Sequence, residues 1–193
     1  VSTAKDPRPI RAFRTAAPFE RWLAANHARA DELFVRIFKK GSSTPTITYA
    51  EALDVALCWG WIDAVKHRFD DVSFLQRFTP RRARSIWSTR NQAHVERLIA
   101  TGRMQPPGLA QVTAAKADGR WARAYDGQAT MQLPPALATA IAASPPATRA
   151  LAALPRAERF ALAFRVHQLK TDAGRTRAIA SIVASLEARG AQR

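Results

Sequence analysis

The sequence is short of the residues that carry the commonest site chemistries. A single cysteine, Cys58, excludes an intramolecular disulfide framework. Four histidines, His27, His67, His94 and His167, form neither a HExxH pair nor a Cys/His cluster, so no metal ligand set is expected. The 8 glycines are scattered and make no P-loop and no GxGxxG turn. There is no GxSxG nucleophile elbow either. No cofactor is implied. No apolar run approaches the roughly 20 residues that cross a bilayer, so membrane insertion is not expected. Val1–Arg14 is polar and basic, without the apolar stretch of a signal peptide. These absences together point to a cytoplasmic protein.

Negative charge is the other scarcity. Nine Asp and 6 Glu face 24 Arg and 6 Lys, for a net charge of +15 over 193 residues. That balance is the usual footprint of a nucleic-acid binder. It is equally what a GC-rich genome produces, since alanine is about a fifth of the chain and Arg far outnumbers Lys. The excess is spread out: +3 over 1–60, +5 over 61–105 and +7 over 106–193. Arg77, Arg81, Arg82, Arg84 and Arg90 form the one real cluster.

The local pattern predicts an α+β fold, a small three-stranded antiparallel sheet covered by helices and followed by an all-helical C-terminal unit. The lead-in over 1–17 is basic and extended near Ile10–Phe13. A helix is expected over 18–29 and a strand over 33–39, rich in β-branched and aromatic residues. Thr48 and Glu51 have capping-box spacing, and the helix they open stops at Gly60. Strands follow over 61–69 and 72–78, joined at Asp70-Asp71. Alternation puts Phe74, Gln76 and Phe78 on one face and Ser73, Leu75 and Arg77 on the other. Helices are expected over 85–101, capped by Ser85 or Ser88, and over 107–118. Residues 126–135 read as a linker between a core domain, 1–125, and a helical unit, 136–193. In that unit Pro135, Pro146 and Pro155 each open a helix. The helix over 155–169 is apolar on most sides and is expected to be well buried. A last helix covers about 172–189.

Three constellations carry candidate chemistry. In Gly60-Trp61-Ile62-Asp63 a carboxylate enters a strand beside a tryptophan, as a general base or as the partner of an arginine. From Pro80 to Ser88, with Asn91, arginines sit between a strand end and a helix start, an arrangement that collects anions. Lys39-Lys40 ends the first strand and either adds to that charge or is solvated. Trp22, Trp59 and Trp87 read as core, whereas Trp61 and Trp121 stack on a flat ligand or join the core. Cys58, on an apolar helix, reads as a buried thiol.

These segments also carry a resemblance. Phe34–Lys40 (FVRIFKK), Ile47–Leu53 (ITYAEAL), Ala56–Asp63 (ALCWGWID), Arg77–Arg82 (RFTPRR), Ser85–Ser88 (SIWS) with Asn91, and Lys116–Trp121 (KADGRW) resemble the YdeI/OmpD-associated family of bacteriocin-protection proteins over residues 18–125. The C-terminal unit keeps less of the family's pattern. Lys170, Thr171, Arg175 and Ile179 match it, but Gly174 and Ala178 depart from it, and Phe34 stands where a tryptophan is common. The resemblance implies a link to bacteriocin tolerance or envelope stress, and lends no reaction.

The leading expectation is a non-enzymatic binding protein of that type, holding a small anion or phosphate. Its site would comprise Lys39, Trp61, Asp63, Arg77, Arg81, Ser85, Trp87, Ser88 and Asn91. Arg77 and Arg81 would bind the anion, Ser85 and Ser88 would donate hydrogen bonds, Trp61 would wall the pocket and Asp63 would orient an arginine. The alternatives are nucleic-acid binding by the whole basic surface, and an enzyme with Asp63 as general base. An open sheet edge leaves dimerisation as a further option.

Overall fold

In a computed structural model, residues 9–127 and 130–191 are described. The start of the basic lead-in and Gln128-Ala129 of the expected linker lie outside them. The chain divides into two compact units. The first runs to Trp87 and resumes over Asn91–Arg123; the second takes Ser88–Arg90 and everything from Ala124 onward.

The first unit holds a sheet of β1 (Ile10–Ala12), β2 (Leu33–Phe38), β3 (Trp61–Arg68) and β4 (Ser73–Pro80) in the order β1-β2-β4-β3. The sheet therefore has four strands and is mixed, not three and antiparallel. The short extended run at Ile10 pairs in parallel with Phe34, and α1 (Ala16–Asn26) makes the crossover. The other pairs are antiparallel. Register puts Leu33, Val35 and Ile37 of β2 beside Phe78, Gln76 and Phe74 of β4 on one face. That face meets Phe19 and Leu23 of α1 and Ala52, Val55 and Ala56 of α2 (Tyr49–Cys58), forming one apolar core. The fully buried Trp61 belongs to it.

Helix α2 starts as its sequence dictates. The Thr48 hydroxyl accepts from the Glu51 N–H at 3.2 Å, and the Glu51 carboxylate accepts from the Thr48 N–H at 2.8 Å. The backbone and side-chain hydrogen bonds from Thr48 hold that carboxyl below the ordinary glutamate value. The helix ends at Gly60, whose φ of +76° is the left-handed conformation glycine adopts freely. Here α4 (Pro106–Ala117) comes close. A Cβ on Gly60 would lie 2.9 Å from the Pro107 carbonyl oxygen, and one on Gly108 would run into the Cys58 carbonyl.

Strand β3 carries a bulge. Asp63 faces Phe78, yet Lys66 faces Gln76, so β3 uses one more residue than β4 between those pairs. The bulge frees the Ala64 carbonyl, and the buried Gln76 amide donates to it at 2.9 Å. It also reverses which side chains face which way. Beyond it, Lys66 and Arg68 share the face of Gln76 and Phe74. Strict alternation from Asp63 would have sent Val65 and His67 there instead.

In the loop after β4, Ser85 does not open a helix. Its hydroxyl accepts from the Arg82 N–H at 2.9 Å and its N–H donates to the Arg82 carbonyl, closing a turn. Helix α3 begins later and spans Thr89–Ala100.

The second unit consists of α5 (Pro135–Ala142), α6 (Pro145–Ala153), α7 (Arg156–His167) and α8 (Asp172–Ala191). Leu137, Ile141, Ala147, Ala150, Val166, Ala178, Ile182 and Leu186 are its core. Gly190 lets α8 pack against the backbone of α6, because a Cβ there would meet the Pro146 carbonyl. Of α7, only Ala163 and Val166 are buried, so its expected burial on most sides does not occur. Phe160 and Phe164 are half-buried; they stack on each other at 5.4 Å, and Tyr125 packs against both. Ser88 is bridged to Tyr125, which gives Ser88–Arg90 their place in this unit. Thr171 caps α8, its hydroxyl accepting from the Gly174 N–H. Thr171 of the Lys170-Thr171 pattern thus has a structural use here.

Candidate functional site

The nine residues expected to form one site serve several different places. Arg77 pairs with Glu32 at 2.6 Å, both side chains about one-third exposed. Arg81 is 5% exposed and lies flat over the Trp87 ring, 3.5 Å from its centroid. Its Nη1 donates to the Ile86 carbonyl and its backbone N–H to the Gly60 carbonyl. Trp87, itself 1% exposed, packs on Trp121 at 4.8 Å, and Lys116 reaches the far ring. These contacts make Arg81 part of a packed stack. The Ser85 carbonyl accepts from Arg120. Asn91 is half-buried on α3, and Ser88 is buried beside Tyr125 in the second unit.

Trp61 lies in the core rather than at the surface. Its indole N–H donates to the His27 carbonyl, with Trp22 edge-on to its ring. Among the described residues Asp63 makes no pair with an arginine. Its carboxylate accepts from the Tyr49 hydroxyl at 2.8 Å, beneath the start of α2.

Lys39 lies elsewhere, at the far end of the sheet, and there a basic groove does form. Lys39, Lys40, Lys66, Arg68, Ser73 and Phe74 line a cavity of about 520 Å³. The Lys66 ammonium sits 4.1 Å over the Phe74 ring. Lys39 donates to the Asp71 carbonyl, a contact that leaves its charge uncompensated. Among the described residues none of these three lysines makes an ion pair with a carboxylate. Arg68 pairs with Asp71 at 2.6 Å, both largely exposed and so weakly coupled in water. The groove exists because the bulge turns Lys66 and Arg68 to the Phe74 face. The sequence shows Lys39-Lys40 as a pair but gives no sign of its partners. Arg36 closes the nearby hairpin by bonding Ser73 and Asp70, and hydrogen bonds from Ser73 and the local backbone hold the Asp70 carboxyl below its ordinary value.

A second cluster has no counterpart in the sequence reading. Asp54 on α2 accepts from His94 at 2.8 Å and from Arg97 at 2.7 Å, with Arg103 4.0 Å away. Burial pushes the Asp54 carboxyl up, but hydrogen bonds from Arg97 and His94, and their charges, pull it below its ordinary value. One turn on, burial raises the Cys58 thiol to about 11, which leaves it an unreactive core group. Among the described residues no group of three or more His, Cys, Asp or Glu side chains is placed to hold a metal ion. Nor is any helix there long and apolar enough to cross a membrane.

Comparison with known families divides the chain much as its packing does. One family model matches residues 11–111, just over half of the sequence. The chain belongs to the family described as Domain of unknown function (DUF8412). A second model, described as Bacteriocin-protection, YdeI or OmpD-Associated, matches residues 130–189. The likeness read from residues 18–125 is therefore found instead in the C-terminal part, whose motif keeps less of the pattern. The GWID and RFTPRR elements lie within the match to the domain of unknown function. No curated protein and no solved structure matches the chain.

Proposed function

We propose that this chain is a non-enzymatic anion-binding protein of the bacteriocin-protection, YdeI or OmpD-associated type, and that the basic groove of its first unit takes a phosphate-bearing ligand. The observation that carries this reading is the set of three lysines and one arginine around a single cavity, the lysines without carboxylate partners among the described residues. Uncompensated ammonium groups repel one another, and an anion bridging them relieves that repulsion. Phe74, already under Lys66, offers an apolar wall for a non-phosphate part of the ligand. The C-terminal match supports the family-level part of the proposal.

The test is titration with pyrophosphate and with a labelled single-stranded 12-mer, each at about 50 and 200 mM salt. Lys40→Ala and Lys66→Ala, singly and together, should each weaken pyrophosphate binding several-fold, with melting unchanged. Arg82→Ala, outside the groove, should leave binding unaltered. Pyrophosphate binding indifferent to both lysines would refute the groove. Oligonucleotide binding that collapses about a thousandfold with salt, with no single lysine dominant, would assign the charge to a whole-surface nucleic-acid interaction instead.

A further inference from the structure

The second unit has a cavity of its own, and its lining is of a different kind. It encloses about 540 Å³, within the range of small-molecule sites. Leu133, Leu151 and Phe160 wall it, all half-buried, and the buried Ala163 forms its floor. Arg156 and Arg159 stand at its exposed rim. Arg156, Arg159, Phe160 and Ala163 fall at i, i+3, i+4 and i+7 of α7, so one helix face presents two guanidinium groups above an apolar slot. No carboxylate is among the described lining residues. The nearest acidic residue in sequence, Glu158, is engaged with Arg189 at 3.2 Å. Arg159 makes no ion pair among the described residues.

We infer that this cavity binds an amphipathic carboxylate, a molecule with one anionic head and an unbranched apolar tail. The arginine fork matches a carboxylate in shape as well as charge. The apolar walls, exposed to water when unoccupied, gain by covering a hydrocarbon tail. A wholly polar anion such as phosphate would leave those walls wet, and a neutral lipid would leave Arg159 without a counter-charge. This site lies entirely within the second unit, so it stands or falls independently of the basic groove.

Decanoate, decanol and decyltrimethylammonium can be compared on the full chain by titration calorimetry, below the concentrations at which each self-associates. Decanoate should bind one to one and at least tenfold more tightly than either of the others. Arg159→Ala should weaken decanoate about tenfold with far-UV circular dichroism unchanged. Arg159→Glu should reverse the preference between decanoate and the cation, an outcome that damage to the fold would not produce. Failure of decanoate to bind at millimolar concentration, equal binding of decanol, or indifference to both Arg159 variants would each overturn the inference.

Discussion

Replacing Arg81 by alanine separates two roles for the same residue. As an anion ligand at a loop, Arg81 would be dispensable for stability. Its surroundings argue otherwise. It is 5% exposed, spans the Trp87 ring at 3.5 Å and donates to the Ile86 carbonyl. Truncation removes the two buried methylenes beyond Cβ, at about 0.8 kcal/mol each. It also removes a cation–π contact of about 0.5–2 kcal/mol and a charge-assisted hydrogen bond of about 1.5–3 kcal/mol. Against these stands relief of the guanidinium's own desolvation, several kcal/mol when burial is complete. The net expected loss is roughly 2–4 kcal/mol. For a chain of this length each kcal/mol moves Tm by about 2–4 °C, so a fall of roughly 5–15 °C is expected.

The assay is thermal unfolding followed by circular dichroism, with urea unfolding as the check. Arg81→Met retains most of the packing over Trp87 and should lose less than half as much as Arg81→Ala. A Tm within about 2 °C of the wild type for Arg81→Ala, together with lost pyrophosphate binding, would refute the structural assignment. It would restore Arg81 as an anion ligand.

Three further outcomes follow from the packing. Gly108→Ala should destabilise by about 1–3 kcal/mol in urea unfolding, because its Cβ would strike the Cys58 carbonyl; an ordinary helix interior would gain up to about 1 kcal/mol from that change. Asp54 has a folded pKa below its unfolded value of about 3.9, so its contribution is complete above that pH and is lost as pH falls through the lower folded value. Asp54→Asn should therefore lower Tm at pH 7 and flatten the fall in Tm between pH 5 and pH 3; equal acid sensitivity in both proteins would count against the cluster. Cys58, with its thiol raised to about 11, should resist a disulfide reagent at pH 8 for as long as the protein stays folded, and react at once in urea.

What was readable in the sequence is what short-range chemistry decides. The Thr48–Glu51 capping box, the stop at Gly60, the turn at Asp70-Asp71 and the proline-led helices of the second unit all depend on residues a few positions apart. Strand β1 escaped because three residues show no alternation, and its parallel partner lies beyond a helix. Ser85 misled because a serine before an apolar run suits a tight turn as well as a helix cap. Asp54, His94 and Arg97 meet across about forty positions, a distance over which no spacing rule operates. The groove depended on the β3 bulge, one extra residue that reverses every side chain after it.

The two kinds of cation divide the work of the first unit in a way composition conceals. Arginine outnumbers lysine fourfold, and the arginine cluster is the natural place to look for an anion. Yet Arg36, Arg77, Arg97 and Arg120 each meet a carboxylate at 2.6–2.7 Å, and Arg81 covers an indole. A planar fork with several donors is suited to fixed partners, so the fold itself consumes much of the arginine charge. Lysine, a point charge on a flexible stem, has no such geometry to satisfy, and Lys39, Lys40 and Lys66 stand around one cavity with no carboxylate partner among the described residues. The minority cation is therefore the better guide to a ligand in this unit. In the second unit it is an arginine, Arg159, that makes no ion pair among the described residues, and it stands at the rim of an apolar slot.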